Sequence, residues 1–111
     1  MSEVVGITMS EMLGHLKYSD YLNVYEPAED TFLLIDAIVK DKLFLRIKKP
    51  KLCVEIGCGT GSVSVVLSKL LKDILVTPPY FVLTEINIKA ANIAYSTCVH
   101  NGLQHFDIIQ T

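Results

Sequence analysis

The stretch that decides the fold is LCVEIGCGTGSVSVVL, residues 52–67. Its first five residues are mainly apolar and run into Gly57, a pattern typical of a short buried strand in a parallel sheet. Beyond the glycines, apolar side chains recur at positions 63, 66, 67 and 70, which is the spacing of one face of an amphipathic helix. This part of the chain therefore predicts a strand, a glycine turn and a helix.

Two further strands are predicted downstream. Residues 80–84 form a second apolar run that ends at Glu85, and residues 106–109 begin a third. Between them lies a segment with helical periodicity, closed by Gly102 in a position that suits a left-handed helix cap. The order βαβαβ predicts an α/β fold with a parallel, Rossmann-like sheet and right-handed crossovers.

A helix is predicted just upstream of this sheet. Pro27 stands among acidic residues, and proline with acids is typical of a helix start, where the first N–H groups lack partners and the helix dipole favours negative charge. The helix is expected over residues 28–40, with Leu34, Ala37 and Ile38 on one face. The segment 47–50 is expected to be a break before the first strand.

The first 24 residues show no sustained period. We interpret residues 1–24 as an N-terminal arm with one short helical turn, followed by a single domain over residues 25–111. The helical turn in this arm and the helix expected over residues 28–40 together predict a helical segment before the sheet.

Composition narrows the class of protein. Ten basic and twelve acidic residues give a net charge of -2, which disfavours a nucleic-acid partner. Three cysteines without a CxxC pair suggest neither a disulfide framework nor a zinc site. No apolar run is long enough to span a membrane and no leader is recognised, so the cytoplasm or the nucleus is the expected location.

The glycine turn is the first candidate site. Gly57, Gly59 and Gly61 leave no Cβ to block a ligand that lies against the backbone, which favours a nucleoside-type cofactor. Their GxGxG spacing differs from the GxGxxG of most dinucleotide folds. Glu55 would repel a pyrophosphate and suits a cationic or zwitterionic ligand. The alternative is a glycine turn that only packs a helix on a sheet.

Glu85 is the second candidate. It ends the second strand 24 residues after Gly61, where an acid in such folds accepts hydrogen bonds from ribose hydroxyls. No arginine follows it, which disfavours a 2′-phosphate. The alternative is a solvated or capping acid.

Other polar residues carry weaker signals. His15, His100 and His105 are dispersed and are interpreted as surface or packing residues. Cys58 has no base beside it, so a nucleophilic role has little support. Glu29, Asp30 and Thr31 by themselves fit ordinary capping of the predicted helix.

Three segments together resemble the HemK-related glutamine methyltransferases, in particular the eukaryotic branch that modifies the class-one translation release factor. They are VYEPAEDTFLLIDAI at 24–38, LCVEIGCGTGSVS at 52–64 and LTEINIKAA at 83–91. The resemblance covers roughly residues 18–111. It implies a class I enzyme that uses S-adenosylmethionine, with residues 25–111 as part of the cofactor-binding domain.

The resemblance also implies where the cofactor binds. The methionine end would contact Thr31, near Tyr25 and Glu26, and the ribose hydroxyls and the adenine would lie at Glu85 and Ile86. The complete expected set is Tyr25, Glu26, Thr31, Glu55, Gly57, Gly59, Gly61, Glu85 and Ile86.

The catalytic loop of such enzymes, Asn-Pro-Pro-Tyr, follows the fourth strand. The chain contains TPPY at 77–80, but this lies before the second predicted strand, and threonine lacks the paired donor and acceptor of an asparagine amide. We interpret TPPY as a connector. The catalytic loop is then absent from this chain, and we expect a truncated form that is inactive alone.

The resemblance implies a release factor as substrate and a small zinc-binding activator protein as heterodimer partner. An adenine-N6 methyltransferase of nucleic acid shares the catalytic tetrapeptide and is one alternative. A non-catalytic cofactor-binding or interaction module is another, and an NAD-dependent oxidoreductase fits the glycine spacing and Glu55 least well.

Overall fold

The computed structural model describes residues 3–111, with side chains from Val5 onward, so the first two residues of the predicted arm lie outside it. Its elements in chain order are β1 (Glu3–Val4), β2 (Ile7–Thr8), α1 (Met9–Met12), a 3-10 helical turn (Tyr18–Leu22), α2 (Glu29–Lys40), α3 (Lys42–Lys48), β3 (Leu52–Ile56), α4 (Ser62–Ile74), β4 (Tyr80–Glu85), α5 (Ile88–His100) and β5 (Phe106–Gln110). None of the helices described in this range has the length and apolar character that spanning a lipid bilayer requires.

The main sheet has the order β3-β4-β5, with both pairs parallel. Phe81 and Leu83 of β4 are almost completely buried and share one core with Val65 of α4 and Ala94 of α5. Both connecting helices therefore pack on the same face of the sheet, as expected when successive right-handed crossovers advance in one direction. The predicted α/β fold with a parallel, Rossmann-like sheet and a helical segment before it is confirmed.

The other face of the sheet is open. Along β3, Leu52, Val54 and Ile56 are 58%, 55% and 80% exposed, while the alternate residues Cys53 and Glu55 are partly buried. The expectation of a buried strand is thus wrong for one of its two faces. The cause is that α4 and α5 cover only the side toward which both crossovers turn.

The predicted face of α2 is also wrong in part. The helix buries Ile35, with Phe32 partly buried against the same core, while Ala37 is exposed. Leu34 and Ile38 instead line a cavity beside the sheet. Periodicity placed apolar residues on the helix but did not distinguish a core contact from a cavity wall.

Helix α3 was not predicted. It ends at Lys48 and is capped by Lys49, which adopts a left-handed conformation with φ 52° immediately before Pro50. The break therefore comes at the last two residues of the predicted 47–50 segment, because the residue before a proline is disfavoured in helical geometry. Sequence periodicity missed α3 because Leu43, Phe44 and Ile47 are exposed, and of its apolar residues only Leu45 packs, partly buried, against the core.

The arm packs onto the domain. Met9, Met12 and Leu13 belong to the main core, and α1 begins with a capping box between Thr8 and Glu11. The predicted helical turn in this segment is present twice, as α1 and as the 3-10 turn. The division of the chain at residue 24 stays a prediction, although the arm shares its core with the sheet.

A pair of stacked histidines joins the arm to α5. The ring centroids of His15 and His100 lie 4.4 Å apart, and His15 Nε2 is 3.1 Å from Thr97 Oγ1. His15 Nδ1 is buried without a partner among the described residues. Desolvation and, secondarily, the neighbouring His100 lower the pKa of His15, while the negative charge of Asp20 opposes the shift.

This pair predicts a pH-dependent stability. Because the pKa of His15 is lowered on folding, its contribution is complete above the ordinary value of 6.5 and is lost as the pH falls toward the folded pKa. The free energy of unfolding from urea titrations should therefore fall between pH 7.5 and pH 5.5, and the fall should be modest because the ring stays partly solvated. His15→Gln should flatten the profile, whereas His105→Gln, at an exposed histidine, should leave it unchanged. Equal slopes in the wild type and in His15→Gln would contradict this prediction.

Candidate functional site

A cavity of about 850 Å³ lies between the glycine loop after β3 and the first turn of α2. The glycine loop begins where β3 ends, at the carboxyl edge of the sheet, and α2 begins just after Pro27. Each element therefore has one end at the cavity. Six of the nine residues expected to bind a cofactor line this cavity: Tyr25, Glu26, Thr31, Glu55, Gly57 and Gly59. Segments 25–31 and 55–59, far apart in sequence, therefore form one site.

The glycine loop opens into the cavity. Gly57 and Gly59 have φ values of 68° and 53°, and a Cβ built on either would meet no atom within 4 Å. The loop is held by two backbone hydrogen bonds of 2.9 Å, from Cys58 N to Thr84 O and from Gly61 N to Cys58 O. The backbone at these two glycines is thus held in place beside open space, which a side chain at either position would fill.

Gly61 has a different role in the structure. It caps α4 with φ 87° and does not line the cavity. A Cβ at this position would lie 3.3 Å from the backbone oxygen of Ala94 in α5. Gly61 therefore allows α4 and α5 to approach each other.

The cavity wall is acidic. Glu26, Asp30 and Glu55 line it, and no lysine or arginine does so among the described residues. Ser64 Oγ donates a 2.7 Å hydrogen bond to Glu55 Oε1. Burial raises the pKa of Glu55, the Ser64 hydrogen bonds oppose that shift, and the nearby charge of Glu85 adds to it.

Glu85 and Ile86 lie outside this wall. Glu85 ends β4 at the same carboxyl edge of the sheet, near enough for its charge to act on Glu55. Ile86 follows it with its side chain 76% exposed, and its carbonyl accepts a 2.7 Å hydrogen bond from Gln110 Nε2. A ligand that reached both residues would extend from the cavity along the edge of the sheet.

Sequence reasoning missed two residues of the site. Asp30 was interpreted as a capping residue, although it lies beside Thr31 in the segment that the resemblance marked. Ser64 is in the first turn of α4, and its signal was its position nine residues after Glu55, just across the glycine turn. Both belong to short polar segments next to an expected ligand contact.

Cys58 is not suited to nucleophilic chemistry. Burial, together with the charges of Glu55 and Glu85, raises its pKa to about 12, so the thiol stays protonated at neutral pH. Within residues 3–111, no group of three or more histidine, cysteine or acidic side chains is arranged to hold a metal ion.

The TPPY segment lies at the opposite edge of the sheet from the cavity. Thr77, Pro78 and Pro79 precede β4, and Tyr80 is its first residue. The Tyr80 hydroxyl donates a 2.8 Å hydrogen bond to Asp107 Oδ2 on β5. The position agrees with its interpretation as a connector.

No family model matches the chain. In sequence it is 34% identical over 86 residues to "Methyltransferase HEMK2" of Mus musculus, which covers 78% of this chain and 37% of that protein. It is 39% identical over 92 residues to "eRF1 methyltransferase catalytic subunit mtq2" of Schizosaccharomyces pombe, with 79% and 38% covered. The chain thus spans less than two fifths of the length of the curated relatives it matches.

Among solved structures, the fold matches the O-methyltransferase from Bacillus cereus in complex with SAH. The TM-score is 0.52 at 16% sequence identity, and the match covers 88% of this chain and 51% of the other. At this identity the likeness concerns the fold alone, and it agrees with the parallel sheet and glycine loop described above. Over the shared stretch, the chain is thus similar in sequence to two methyltransferases, HEMK2 and mtq2, and similar in fold to a third.

Proposed function

We propose that this chain binds S-adenosylmethionine and forms the cofactor-binding part of a methyltransferase that modifies the glutamine side-chain amide of a translation release factor. The observation that carries the first half is the acidic cavity, with three carboxylates and no basic residue on its described wall. A pyrophosphate would be repelled there. A ligand with a sulfonium and an ammonium group would be attracted.

The residues present fit the amino-acid end of this cofactor. Glu26, Asp30 and Glu55 would face its positive groups. The first turn of α2 has no side-chain cap, so its N–H groups near Thr31 are available to a carboxylate at the positive end of the helix dipole. Bound there, the cofactor would supply an activated methyl group.

The nucleoside end would lie along the carboxyl edge of the sheet. Gly57 and Gly59 leave room for it against the backbone, since a Cβ on either would project into open space. Glu85 would accept hydrogen bonds from the ribose hydroxyls, and Ile86 would flank the adenine. Gly61 would act indirectly, by holding α4 against α5.

The substrate and partners are proposed from the relatives. The name of mtq2 specifies an eRF1 methyltransferase catalytic subunit, which supports a release factor as the methyl acceptor. We propose a small zinc-binding activator protein as heterodimer partner, and the cytoplasm or the nucleus as the location. Because the 111 residues contain no Asn-Pro-Pro-Tyr, we assign cofactor binding to them and no transfer activity to the chain alone.

Titration calorimetry tests the cofactor. We expect saturable binding of S-adenosylmethionine and of its demethylated product, and no binding of NAD. Binding of NAD alone would sink the proposal. If the longest form of the protein, assayed with the activator as described below, bound the cofactor tightly yet transferred no methyl group, it would instead be a non-catalytic cofactor-binding module.

Transfer of a tritiated methyl group tests the substrate. The longest available form of the protein, with and without the activator, should label a release factor and should not label one in which the acceptor glutamine is replaced. DNA serves as the competing substrate. Labelling of DNA in preference to release factor would favour the adenine-N6 alternative.

A further inference from the structure

A second cavity, of about 950 Å³, lies at the amino edge of the sheet, opposite the edge that carries the glycine loop. The segments that enter the three strands form it: residues 49–51 before β3, residues 74–78 before β4 and His105 before β5. It contains most of the TPPY connector, to which the proposed function gives no role. No residue lines both cavities.

The charge of this cavity is the reverse of the first. Arg46, Lys49 and Lys51 line it, all three are exposed, and no carboxylate lines it among the described residues. They belong to a basic stretch, residues 40–51, in a chain whose net charge is -2. Six of the ten basic residues occur in that stretch, namely Lys40, Lys42, Arg46, Lys48, Lys49 and Lys51, against the single acid Asp41.

The rest of the wall is apolar. It includes Ile74, Leu75 and Pro78, and Val76 projects fully into solvent. Exposed apolar surface in a concave site is typical of a binding surface rather than of ordinary protein exterior. Its occupant therefore has to offer negative charge and apolar side chains together.

We propose that this second cavity is a docking site for an acidic peptide segment of a partner protein. Carboxylates of the segment pair with Arg46, Lys49 and Lys51, and a large apolar side chain packs on Leu75 and Val76. Charge complementarity orients the peptide and speeds its association, and the apolar contact stabilises the complex by removing apolar surface from water.

Other anions fit the cavity less well. Inorganic phosphate would leave the apolar wall uncovered. A nucleic acid needs a continuous basic field, but Asp107 on β5 lies at the edge of the site, where it accepts the hydrogen bond from Tyr80. A peptide can place a carboxylate beside each cation and turn its backbone away from Asp107.

Fluorescence anisotropy on the full chain tests the site with a labelled peptide that has glutamates on both sides of a central Leu-Phe pair. We expect saturable binding that weakens as salt is added, because exposed ion pairs are screened. A peptide with lysines in place of the glutamates should not bind, and one with alanines in place of Leu-Phe should bind more weakly. Equal binding of the acidic and basic peptides would overturn the proposal.

A matched pair of variants locates the site. Lys49→Glu with Lys51→Glu should lower the affinity by about tenfold or more. Lys17→Glu with Lys89→Glu makes the same change in net charge at exposed lysines away from the cavity and should have little effect. Far-UV circular dichroism and urea unfolding show whether both variants remain folded. A third variant, Val76→Ser at a fully exposed position, tests the apolar wall without a change of charge.

Three further outcomes would overturn the proposal. The first is peptide binding that survives the Lys49 and Lys51 reversal, and the second is the absence of binding to the wild type. The third is a single-stranded RNA that binds more tightly than the peptide and is lost in the same variant, which would make the cavity a nucleic-acid site. None of these depends on S-adenosylmethionine, so they are distinguishable from failure of the proposed function.

Discussion

Replacement of Gly61 by valine should lower the free energy of unfolding by about 3 kcal/mol. A β-branched side chain at φ 87° carries roughly 1–2 kcal/mol of backbone strain, and its Cβ would lie 3.3 Å from the backbone oxygen of Ala94. Neither backbone can yield cheaply, because Gly61 caps α4 while Ala94 is completely buried in α5. Overpacking at such a contact adds about 1–3 kcal/mol. Urea unfolding followed by circular dichroism measures the loss.

Gly59→Val is the matched control. The backbone strain is similar at φ 53°, but a Cβ there meets nothing within 4 Å, so the stability loss should be only about 1–2 kcal/mol. Its side chain would instead enter the cavity and should abolish binding of S-adenosylmethionine in calorimetry. Equal unfolding free energies for the two variants would contradict the structural role assigned to Gly61.

Glu85→Ala should weaken binding of S-adenosylmethionine by about thirtyfold or more, with little change in stability. The carboxylate would accept hydrogen bonds from both ribose hydroxyls, and a hydrogen bond to a charged group is worth roughly 1.5–3 kcal/mol. In the folded chain the Glu85 side chain is partly exposed and makes no hydrogen bond to another described residue, so its removal leaves no buried group unpaired. Titration calorimetry measures the change.

Glu29→Ala is the control for the charge itself. Glu29 begins α2 next to the cavity, is exposed and does not line the wall. The substitution removes one negative charge from the same region and should change the affinity for S-adenosylmethionine by less than about threefold, the scale of a screened surface charge. If Glu85→Ala bound the cofactor as tightly as Glu29→Ala, the assignment of the ribose to the carboxyl edge of β4 would be wrong.

The two proposed binding sites are separate: they lie in cavities of opposite charge at opposite edges of one sheet. Parallel strands all begin at one edge and end at the other, so their entry loops meet in one place and their exit loops in another. At the exit edge, the end of β3 supplies Glu55 and the glycines, and the start of α2 adds Glu26 and Asp30. At the entry edge, Lys49 and Lys51 before β3 meet the apolar connector, and Arg46 of α3 adds a third cation. A partner could thus dock without obstructing the cofactor.

The sequence predicted the sheet well. β3 and β4 have the predicted bounds, and β5 begins at the predicted residue, Phe106, and continues to Gln110. These elements follow from short-range patterns: a run of apolar residues, a glycine turn, and apolar side chains at helical spacing. Helix α3 packs a single apolar residue, Leu45, against the core, so no periodic signal was available for it.

The candidate site was predicted only in part. Tyr25, Glu26 and Thr31 were identified through the resemblance and lie with Glu55 on one cavity wall. Asp30 was passed over because an acid in the first turn of a helix has a sufficient local explanation. The histidines were interpreted as dispersed, yet His15 and His100 are in contact.

By itself, the sequence determined the three strands of the main sheet, the helices α2, α4 and α5, the parallel order of the strands, and which glycine loop could hold a nucleoside. The tertiary structure decided which face of α2 and of β3 is buried, that Gly61 serves the contact between two helices, and that acids and bases collect in separate cavities. The physical reason is the distance along the chain over which each interaction acts. Hydrogen bonding within a helix or a turn depends on neighbours in the chain, whereas burial, charge grouping and close backbone contacts depend on residues that only the folded chain brings together.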